Sequence, residues 1–412
     1  MKIGIITNLY PPHTRGGAEN VIVRTVGQLL AMGHDVFVIT GQPRKFGKHI
    51  ALDRSSTERV YRFFPGNIYF TLDDYKYPKF LRLFWHIIDA FGWNSAANVR
   101  KILADEHPDV VITHNLKGIG LNTPRVIRAE NIPHIHVLHD LQLLYPSGLL
   151  LAGQERLAFW AKPFYRLYQY FCRIRIGDPA IVLSPSEYLK TAYLEAGFFA
   201  NTKIRVLRNP PPTYSTPRPL QRPPGPLRLF FVGQLASHKG IEFLLEAYKH
   251  LPQDRRLLIV GDGTLRPLVE RAAEQDKNIR YLGYMPPGEL SKFFSVVDVI
   301  VVPSLCYENS PTVIYEALNA GLPVIASRIG GVGELIQEGV SGYLFTPGDQ
   351  KDFIRAVEEL DFHKEQLIAS GDKIRETVAD FALDKYADRL LEIIKPIVQK
   401  HHTKEVSDAS ET

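Results

Sequence analysis

Short apolar runs alternate with helical segments along most of the chain. The runs are continuously apolar, which is typical of parallel strands with helices covering both sheet faces. The predicted strands of the first half are 3–7, 36–40, 110–113, 136–139, 180–184 and 205–207. Those of the second half are 229–232, 257–260, 279–282, 299–302, 324–327 and 343–345. Helices are predicted at 19–32, 241–250, 265–275, 287–297, 312–320 and 383–398. This alternation predicts an α/β fold with doubly wound parallel sheets.

A proline-rich stretch divides the chain into two such patterns. Its prolines stand at 210, 211, 212, 217, 219, 223, 224 and 226, a density that prevents helix and central strand and favours an extended connector. We therefore predict these parts: a Rossmann-like domain over 1–208, a linker over 209–226, a second Rossmann-like domain over 227–375, a C-terminal helical segment over 376–402 that packs back on the first domain, and a disordered tail over 403–412. Ligands of open α/β sheets bind at the carboxyl ends of the strands, so a site is expected in a cleft where both sheets face each other.

Composition narrows the class of protein. Of the 412 residues, 45% are hydrophobic and 23% are charged, as in soluble globular proteins. The net charge of +5 is compatible with anionic substrates or a membrane surface but does not indicate nucleic acid. The two cysteines, Cys172 and Cys306, form no readable disulfide framework.

The N-terminal sequence and the apolar runs indicate a compartment. The chain start lacks the apolar core of a signal peptide, and no run approaches the ~20 residues that span a bilayer. We expect a cytoplasmic location. The segment 155–176 is rich in aromatic and basic residues. It predicts either a peripheral contact with the inner face of the membrane or a helix packed on the first domain.

Two glutamates, Glu308 and Glu316, bracket seven residues after a predicted strand. Ser310 is the expected N-cap of the following helix, which would leave the N–H groups of Thr312 and Val313 free to attract phosphate. Glu316 could accept hydrogen bonds from a ribose, and Glu308 could reach hydroxyls of a bound sugar. Spacing alone favours two surface glutamates on an ordinary strand–loop–helix unit.

The surroundings of these glutamates carry a resemblance. Strings such as VGQLASHKG at 232–240, VGDG at 260–263, EAL at 316–318 and GLPVIAS at 321–327 occur in order. Further matching segments are 10–12, 16–19, 184–187, 283–284, 303–304, 330–334, 342–345 and 347–349. Together they resemble the retaining GT-B glycosyltransferases of family 4, also called glycosyl transferases group 1. Nearly the whole chain is covered, and the ordered set is far more specific than any one piece.

The resemblance implies a role for several residues of the second half. Lys239 is expected to bind the donor pyrophosphate, and Glu308 and Lys239 are expected to be catalytic. Gln234 stands where the family often has an arginine, and a neutral amide is a weaker phosphate ligand. Asn309 replaces a common glycine. The complete expected donor site consists of Gly16, Gly17, Gln234, Lys239, Gly261, Tyr284, Asn309, Ser310, Thr312, Val313 and Glu316.

The first half contributes two further candidates. Gly16 and Gly17 follow the first strand and allow a backbone to approach phosphate closely, although a lone Gly-Gly is also only a turn signal. The chain lacks the Gly-x-Gly-x-x-Gly fingerprint after that strand, which argues against an NAD enzyme. His139 ends a predicted strand, and the family often has a catalytic histidine there.

No metal or cofactor is expected. His134 and His136 share a strand with His139, but no carboxylate or cysteine partner stands at suitable spacing, and no Asp-x-Asp motif occurs. Asp73 and Asp74 fit a solvated turn. The implied co-substrate is a UDP- or GDP-sugar, and the implied acceptor is a saccharide or a lipid-linked sugar.

The implied reaction is retaining glycosyl transfer in polysaccharide or glycoconjugate synthesis. Two alternatives stay open at this point. One is a related GT-B enzyme such as an epimerase or a phosphorylase, of which the latter would need pyridoxal phosphate. The other is a nucleotide-sugar-binding subunit without catalytic activity.

Overall fold

The computed structural model describes residues 1–44, 50–53, 58–153, 162–212 and 225–410. Two units result from the pattern of contacts. Unit 1 comprises Met1–Leu149, Phe159–Arg208 and Leu383–Thr412, and unit 2 comprises Leu150–Ala158 and Asn209–Ala382.

Unit 1 is built on an eight-stranded sheet. Its strands are β1 (Lys2–Ile6), β2 (Asp35–Gly41), β3 (Ile50–Asp53), β4 (Arg59–Phe63), β5 (Val110–Thr113), β6 (His134–Val137), β7 (Ile181–Ser184) and β8 (Ile204–Val206). Their order is β3-β4-β2-β1-β5-β6-β7-β8, and every pair is parallel except β3 with β4. The central strands are buried along their whole length because helices cover both faces.

Helices of unit 1 connect these strands and include the C-terminal helix. They are α1 (Gly17–Ala31), α2 (Lys79–Phe91), α3 (Trp93–Glu106), α4 (Thr123–Ala129), α5 (Lys162–Ile176), α6 (Glu187–Glu195) and, numbered last in the chain, α14 (Leu383–Ser410). One apolar face of α14 is buried in the same core as the sheet, through Tyr386, Leu390, Leu391, Ile394 and Val398. The C-terminal helix is therefore an integral part of unit 1.

Unit 2 contains a six-stranded, fully parallel sheet. Its strands are β9 (Arg228–Val232), β10 (Arg256–Val260), β11 (Ile279–Tyr281), β12 (Val299–Val302), β13 (Val324–Ser327) and β14 (Gly342–Phe345), in the order β11-β10-β9-β12-β13-β14. Its helices are α7 (Ile241–Tyr248), α8 (Arg266–Gln275), α9 (Pro287–Leu290), α10 (Thr312–Asn319), α11 (Gln350–Phe362), α12 (Lys364–Ala369) and α13 (Gly371–Glu376). Alternate residues of β9 enter different cores, with Phe231 in one and Phe230 in the other, so both sheet faces are buried.

The predicted fold class of two doubly wound α/β domains is confirmed, with two strands missed. The missed strands, β3 and β4, form one edge of the sheet in unit 1. Neither contains a continuous apolar run, because β3 is a partly exposed edge strand and the inner strand β4 carries arginines at 59 and 62. The predicted helix 287–297 is also too long, since α9 ends at Leu290.

Three predicted boundaries differ from the structure. Leu150–Gly153 belongs to unit 2 rather than the first domain, because Leu151 forms a β-bridge with Cys306. The tail predicted as disordered is helical through Ser410, since no glycine or proline interrupts α14 after Pro396. The C-terminal helical segment begins at Leu383 rather than 376. Most of the predicted linker, 213–224, lies outside the described residues, as do 155–161 of the aromatic-basic segment.

Within the described ranges, every helix is too short or too polar to cross a lipid bilayer.

Candidate functional site

The loop after β12 carries Glu308, and its carboxylate is bound by a lysine from a different loop of unit 2. Lys239 Nζ lies 2.5 Å from Glu308 Oε1. The Ser304 hydroxyl donates to the same oxygen at 2.9 Å, and the Cys306 thiol lies 3.7 Å from it. The structure thus brings together Lys239 and Glu308, which stand 69 positions apart in the sequence.

The electrostatics of this pair keep both groups charged. Burial raises the pKa of the Glu308 carboxyl, but the Lys239 charge and the hydrogen bonds from Lys239 and Ser304 together outweigh burial and lower it below its usual value. Burial lowers the pKa of the Lys239 ammonium, and attraction to Glu308 outweighs that too, so its pKa is raised. An ammonium and a carboxylate are therefore both present at neutral pH.

Backbone contacts fix the two loops to each other. Lys239 is followed by Gly240 at a φ of +73°, where a Cβ would lie 1.8 Å from the carbonyl oxygen of Pro303. Only glycine permits this approach. The carbonyl of His238 accepts hydrogen bonds from the N–H groups of Leu305 and Cys306, at 2.9 and 3.2 Å. The position of Lys239 beside the Glu308 loop is thus set by main-chain geometry.

Glu308 itself is held by the Gly330–Gly331 turn. The N–H of Gly331 donates to the carbonyl of Glu308 at 2.7 Å. Gly330 has a φ of +58°, and a Cβ there would lie 2.0 Å from the same carbonyl oxygen. A side chain at 330 would therefore displace the Glu308 backbone.

Helix α10 begins at Thr312, as predicted, but Ser310 is not its N-cap. The N-cap is Pro311, and no side chain caps the helix. The Ser310 hydroxyl instead lies 2.7 Å from the Tyr315 hydroxyl one turn into the helix. The prediction was wrong because that contact draws Ser310 away from the helix amides. Thr312 and Val313 supply the first amides of α10, which have no acceptor one turn earlier in the helix.

Other predicted donor residues follow neighbouring strands of the same parallel sheet. Gln234 follows β9, Gly261 follows β10, Tyr284 follows β11, and Asn309 follows β12. The carboxyl ends of parallel strands share one edge, so these positions lie along the edge that carries Glu308. Gln234 and Tyr284 are exposed, whereas Asn309 is buried. Glu316 is half-buried on the second turn of α10.

Close packing of this edge requires a glycine at 261. Gly261 has a φ of +147°, and a Cβ there would lie 1.9 Å from the carbonyl oxygen of Gly233. Its N–H donates to Gly283 at 2.9 Å, and its carbonyl accepts from the Tyr281 hydroxyl at 3.0 Å. The loops after β9, β10 and β11 are thereby joined.

Gly16 and Gly17 lie in unit 1, at the start of α1. Gly16 is the N-cap in extended conformation, and Gly17 is the first helical residue. The carboxylate of Glu19 accepts a hydrogen bond from the Gly16 N–H at 3.0 Å. This N–H is therefore already used within unit 1, which the sequence did not reveal.

His139 follows β6 in unit 1 and pairs with a second histidine. His139 Nε2 lies 2.8 Å from Nδ1 of His114, which follows the adjacent strand β5. Burial lowers the pKa of His139 to about 4, and burial followed by repulsion from neighbouring histidines lowers that of His114 strongly. Both rings are neutral at neutral pH. Sequence reasoning missed His114, although its place after β5 was a readable signal.

The histidines of β6 bind a hydroxyl within unit 1. Thr113 Oγ1 lies 2.7 Å from His134 Nε2 and 2.8 Å from His136 Nδ1. Nowhere in the described part of the chain do three or more His, Cys, Asp or Glu side chains cluster in a way that could hold a metal ion. Asp73 pairs with Lys76 at 2.7 Å, and Asp74 with Arg15 at 3.7 Å.

Comparison with known proteins identifies the family. Residues 226–361 match the family described as "Glycosyl transferases group 1", and residues 15–213 match "Glycosyltransferase Family 4". The amylovoran biosynthesis glycosyltransferase AmsK of Erwinia amylovora is 31% identical over 390 residues, which cover 85% of this chain and 88% of AmsK. The chain belongs to the GT-B glycosyltransferases.

Solved structures of other proteins share the fold of this glycosyltransferase. Sucrose-phosphate synthase from Thermosynechococcus elongatus has a TM-score of 0.73 at 18% identity, covering 97% of this chain and 99% of that one. Anabaena HepE in complex with UDP has a TM-score of 0.69 at 16% identity, covering 96% and 100%. At these identities the likeness concerns the fold.

Proposed function

We propose that this glycosyltransferase moves a hexosyl group from a nucleoside-diphosphate sugar to a saccharide or lipid-linked acceptor, with retention and without a metal ion. The observation that carries the proposal is the contact between Lys239 and Glu308 on the carboxyl edge of the sheet in unit 2. A cation and a carboxylate in contact are chemically complementary to the diphosphate and the sugar of a nucleoside-diphosphate sugar. The cation suits the diphosphate, and the carboxylate suits the sugar hydroxyls.

The contact between Lys239 and Glu308 neutralises both charges. We infer that the donor diphosphate takes over the Lys239 ammonium, while Glu308 turns to accept hydrogen bonds from sugar hydroxyls. The amides of Thr312 and Val313 at the start of α10 are the additional phosphate donors. Negative charge grows on the departing diphosphate, so donors fixed before the reaction lower the barrier. Because Lys239 and the α10 amides supply positive charge, we infer that transfer proceeds without a metal ion.

Retention is proposed to follow from attack on the face that the diphosphate leaves. The bond from the anomeric carbon to the phosphate oxygen breaks, and a bond from the acceptor oxygen to that carbon forms. The proton of the acceptor hydroxyl passes to the departing phosphate oxygen. Glu308 has no covalent role in this scheme, and its carboxylate acts only as an acceptor of hydrogen bonds, as it does from Ser304 in the structure.

Gly17 and His139 of unit 1 are proposed as further substrate contacts, whereas the N–H of the predicted Gly16 is bound by Glu19. A neutral His139 can both donate and accept hydrogen bonds, which suits sugar hydroxyls. His139→Ala is expected to slow transfer, whereas His139→Asn should keep part of the rate because an amide preserves both functions. Equal rates in the wild type and His139→Ala would remove this residue from the site.

Relatives support the substrate class. HepE is described in complex with UDP, which favours a uridine nucleotide, and a GDP-sugar is the alternative. AmsK is named for amylovoran biosynthesis, which favours an acceptor in polysaccharide synthesis. Thermal-shift measurements with UDP, GDP and their sugars distinguish the bases, because a bound ligand stabilises the folded state.

The central test is a set of matched substitutions assayed for transfer. Glu308→Gln, Glu316→Gln and Lys239→Ala are expected to reduce the rate by about 10²–10³, as for the loss of one transition-state donor. The exposed residues Glu274 and Lys277 provide the controls Glu274→Gln and Lys277→Ala, which should leave the rate unchanged. EDTA should have no effect, and NMR of the product should show the anomeric configuration of the donor.

The outcome also separates the alternatives. Near-normal rates in all three site variants would overturn the site assignment. Binding of a nucleotide sugar without transfer to any saccharide or lipid-linked acceptor would favour a subunit without catalytic activity. Inversion at the anomeric carbon would refute the same-face attack while leaving the donor site in place.

A further inference from the structure

Unit 1 presents apolar side chains to solvent along helix α2. Phe80, Phe84, Ile87, Ile88 and Phe91 recur at helical spacing on one side, and each is between 38% and 67% exposed. A helix of a globular protein normally buries such a stripe. The opposite side of α2 is already used, since Trp85 and Asp89 are buried.

Helix α5 of the same unit presents a second apolar stripe. Phe164, Leu167, Phe171 and Ile174 are spaced by three or four residues and are between 43% and 56% exposed. Cys172 and Ile176 bury the other side of the helix against unit 1. The predicted packing of this segment on the first domain is confirmed for α5, which still exposes aromatic side chains; the membrane contact stays a prediction.

The two stripes adjoin at their C-terminal ends. The guanidinium carbon of Arg175 on α5 lies 4.9 Å from the ring centroid of Phe91 on α2. Phe91 in turn lies 5.3 Å, between ring centroids, from Trp93, which is 74% exposed. We call the surface formed by the α2 stripe, the α5 stripe and Trp93 the aromatic face.

The charge beside the aromatic face is positive. Helix α5 carries Lys162, Arg166, Arg173 and Arg175, and its sequence contains no acidic residue. Arg125 on α4 is exposed and lies near Arg175, whose pKa is lowered by burial and then by repulsion from Arg125. Apolar stripes bordered by cations and tryptophan are typical of surfaces that lie in the headgroup region of a membrane.

A second copy of the chain fits this charge distribution poorly. A two-fold dimer places the same patch of each copy against the other. Arg125 and Arg166 would then approach their counterparts without an acidic partner on α5, which costs free energy. Anionic headgroups complement the same residues. We propose that the aromatic face binds the surface of an anionic lipid bilayer. The inference extends the proposed function, because a lipid-linked acceptor would be presented at such a surface.

Binding of the full chain to vesicles tests this inference without donor or acceptor. The full chain is expected to sediment with vesicles of phosphatidylcholine and phosphatidylglycerol. It should bind vesicles of pure phosphatidylcholine at least about tenfold more weakly. Phe84→Asp and the double variant Arg125→Glu/Arg166→Glu should each weaken binding by about tenfold or more. Trp93 emission should shift to the blue on binding, and Trp93→Phe should abolish that shift.

Matched controls exist in unit 2. Phe362 is 85% exposed, and Arg271 and Lys277 are exposed. Phe362→Asp and Arg271→Glu/Lys277→Glu should bind vesicles as the wild type does. These changes match the test variants in chemistry and differ only in location.

Three results would overturn the inference. The first is no sedimentation of the wild type with anionic vesicles, and the second is wild-type binding by Phe84→Asp. The third is a dimer of the wild type that Phe84→Asp converts to a monomer without any vesicle binding, which would assign the aromatic face to a second copy. Transfer to a soluble acceptor without vesicles is measured separately, so failure here and failure of the proposed function are distinguishable.

Discussion

The contact between Lys239 and Glu308 predicts that substitutions of the two residues are energetically coupled. The two side chains are 30% and 14% exposed, and their charged atoms lie 2.5 Å apart. Lys239→Met removes the ammonium and keeps an apolar stem, whereas Glu308→Gln keeps the shape and removes the charge. The double variant removes both charges.

The magnitude follows from the distance and the burial. At 2.5 Å and an effective dielectric constant near 20, the attraction is about 6–7 kcal/mol, most of which the desolvation of both groups cancels. Losing one partner costs about 3–5 kcal/mol in a buried pair and about 0–1 kcal/mol at the surface. For this partly buried pair we expect Lys239→Met to lower the free energy of unfolding by about 2 kcal/mol, because it leaves the more buried carboxylate uncompensated. Glu308→Gln should cost about 1 kcal/mol, and the double variant about 1–1.5 kcal/mol instead of the sum.

Scanning calorimetry of the full chain can measure these losses of unfolding free energy in unit 2. For a domain of this size, 1 kcal/mol shifts Tm by about 2–4 °C, so Lys239→Met should lower the unit 2 transition by about 4–8 °C. The three tryptophans, at 85, 93 and 160, lie outside Asn209–Ala382. Tryptophan fluorescence therefore reports unfolding of the rest of the chain, and the transition that it follows should be the same in the variants and the wild type. If the double variant costs the sum of the single variants within about 0.5 kcal/mol, the charges are not coupled and the reasoning is refuted.

Three further predictions concern single residues. Ser304→Ala removes the hydroxyl that holds Glu308 at 2.9 Å and should reduce the transfer rate about threefold to tenfold, with recovery in Ser304→Thr; an unchanged rate would contradict its positioning role. Gln234→Arg should tighten nucleoside-diphosphate binding about tenfold in calorimetric titration, and unchanged affinity would place the diphosphate elsewhere. Burial lowers the pKa of His136 to about 3. The unfolded chain, with a histidine pKa near 6.5, therefore takes up the proton first, and stability falls by up to about 1.4 kcal/mol per pH unit as pH drops from 6.5 towards 3. Urea titrations of His136→Gln followed by tryptophan fluorescence should show a flatter pH dependence, and an equal slope would refute this.

Local sequence patterns were sufficient for most of the fold. The buried strands were predictable because both of their faces are apolar, so each run is visible without knowledge of its neighbours. Strands β3 and β4 were not, because β3 is a partly exposed edge strand and β4 carries arginines at 59 and 62, so neither contains a continuous apolar run. Helix α2 was missed although Phe80, Phe84, Ile87 and Phe91 show helical spacing. Their apolar stripe was a readable signal.

The sequence by itself determined the α/β class, the restart of the pattern after the prolines, and the candidates Lys239, Glu308 and His139. The class and the restart depend on periodicity and residue type, which are local properties of a chain, whereas the three candidates are what the resemblance of the ordered motifs to family 4 glycosyltransferases implies. Only the tertiary structure decided which groups meet: Lys239 with Glu308, Ser310 with Tyr315, His139 with His114, and Leu151 with Cys306. Three of these contacts join loops distant in sequence, and the fourth, between Ser310 and Tyr315, depends on how the loop enters α10. Partners of this kind are set by strand order and loop conformation, which local periodicity does not encode.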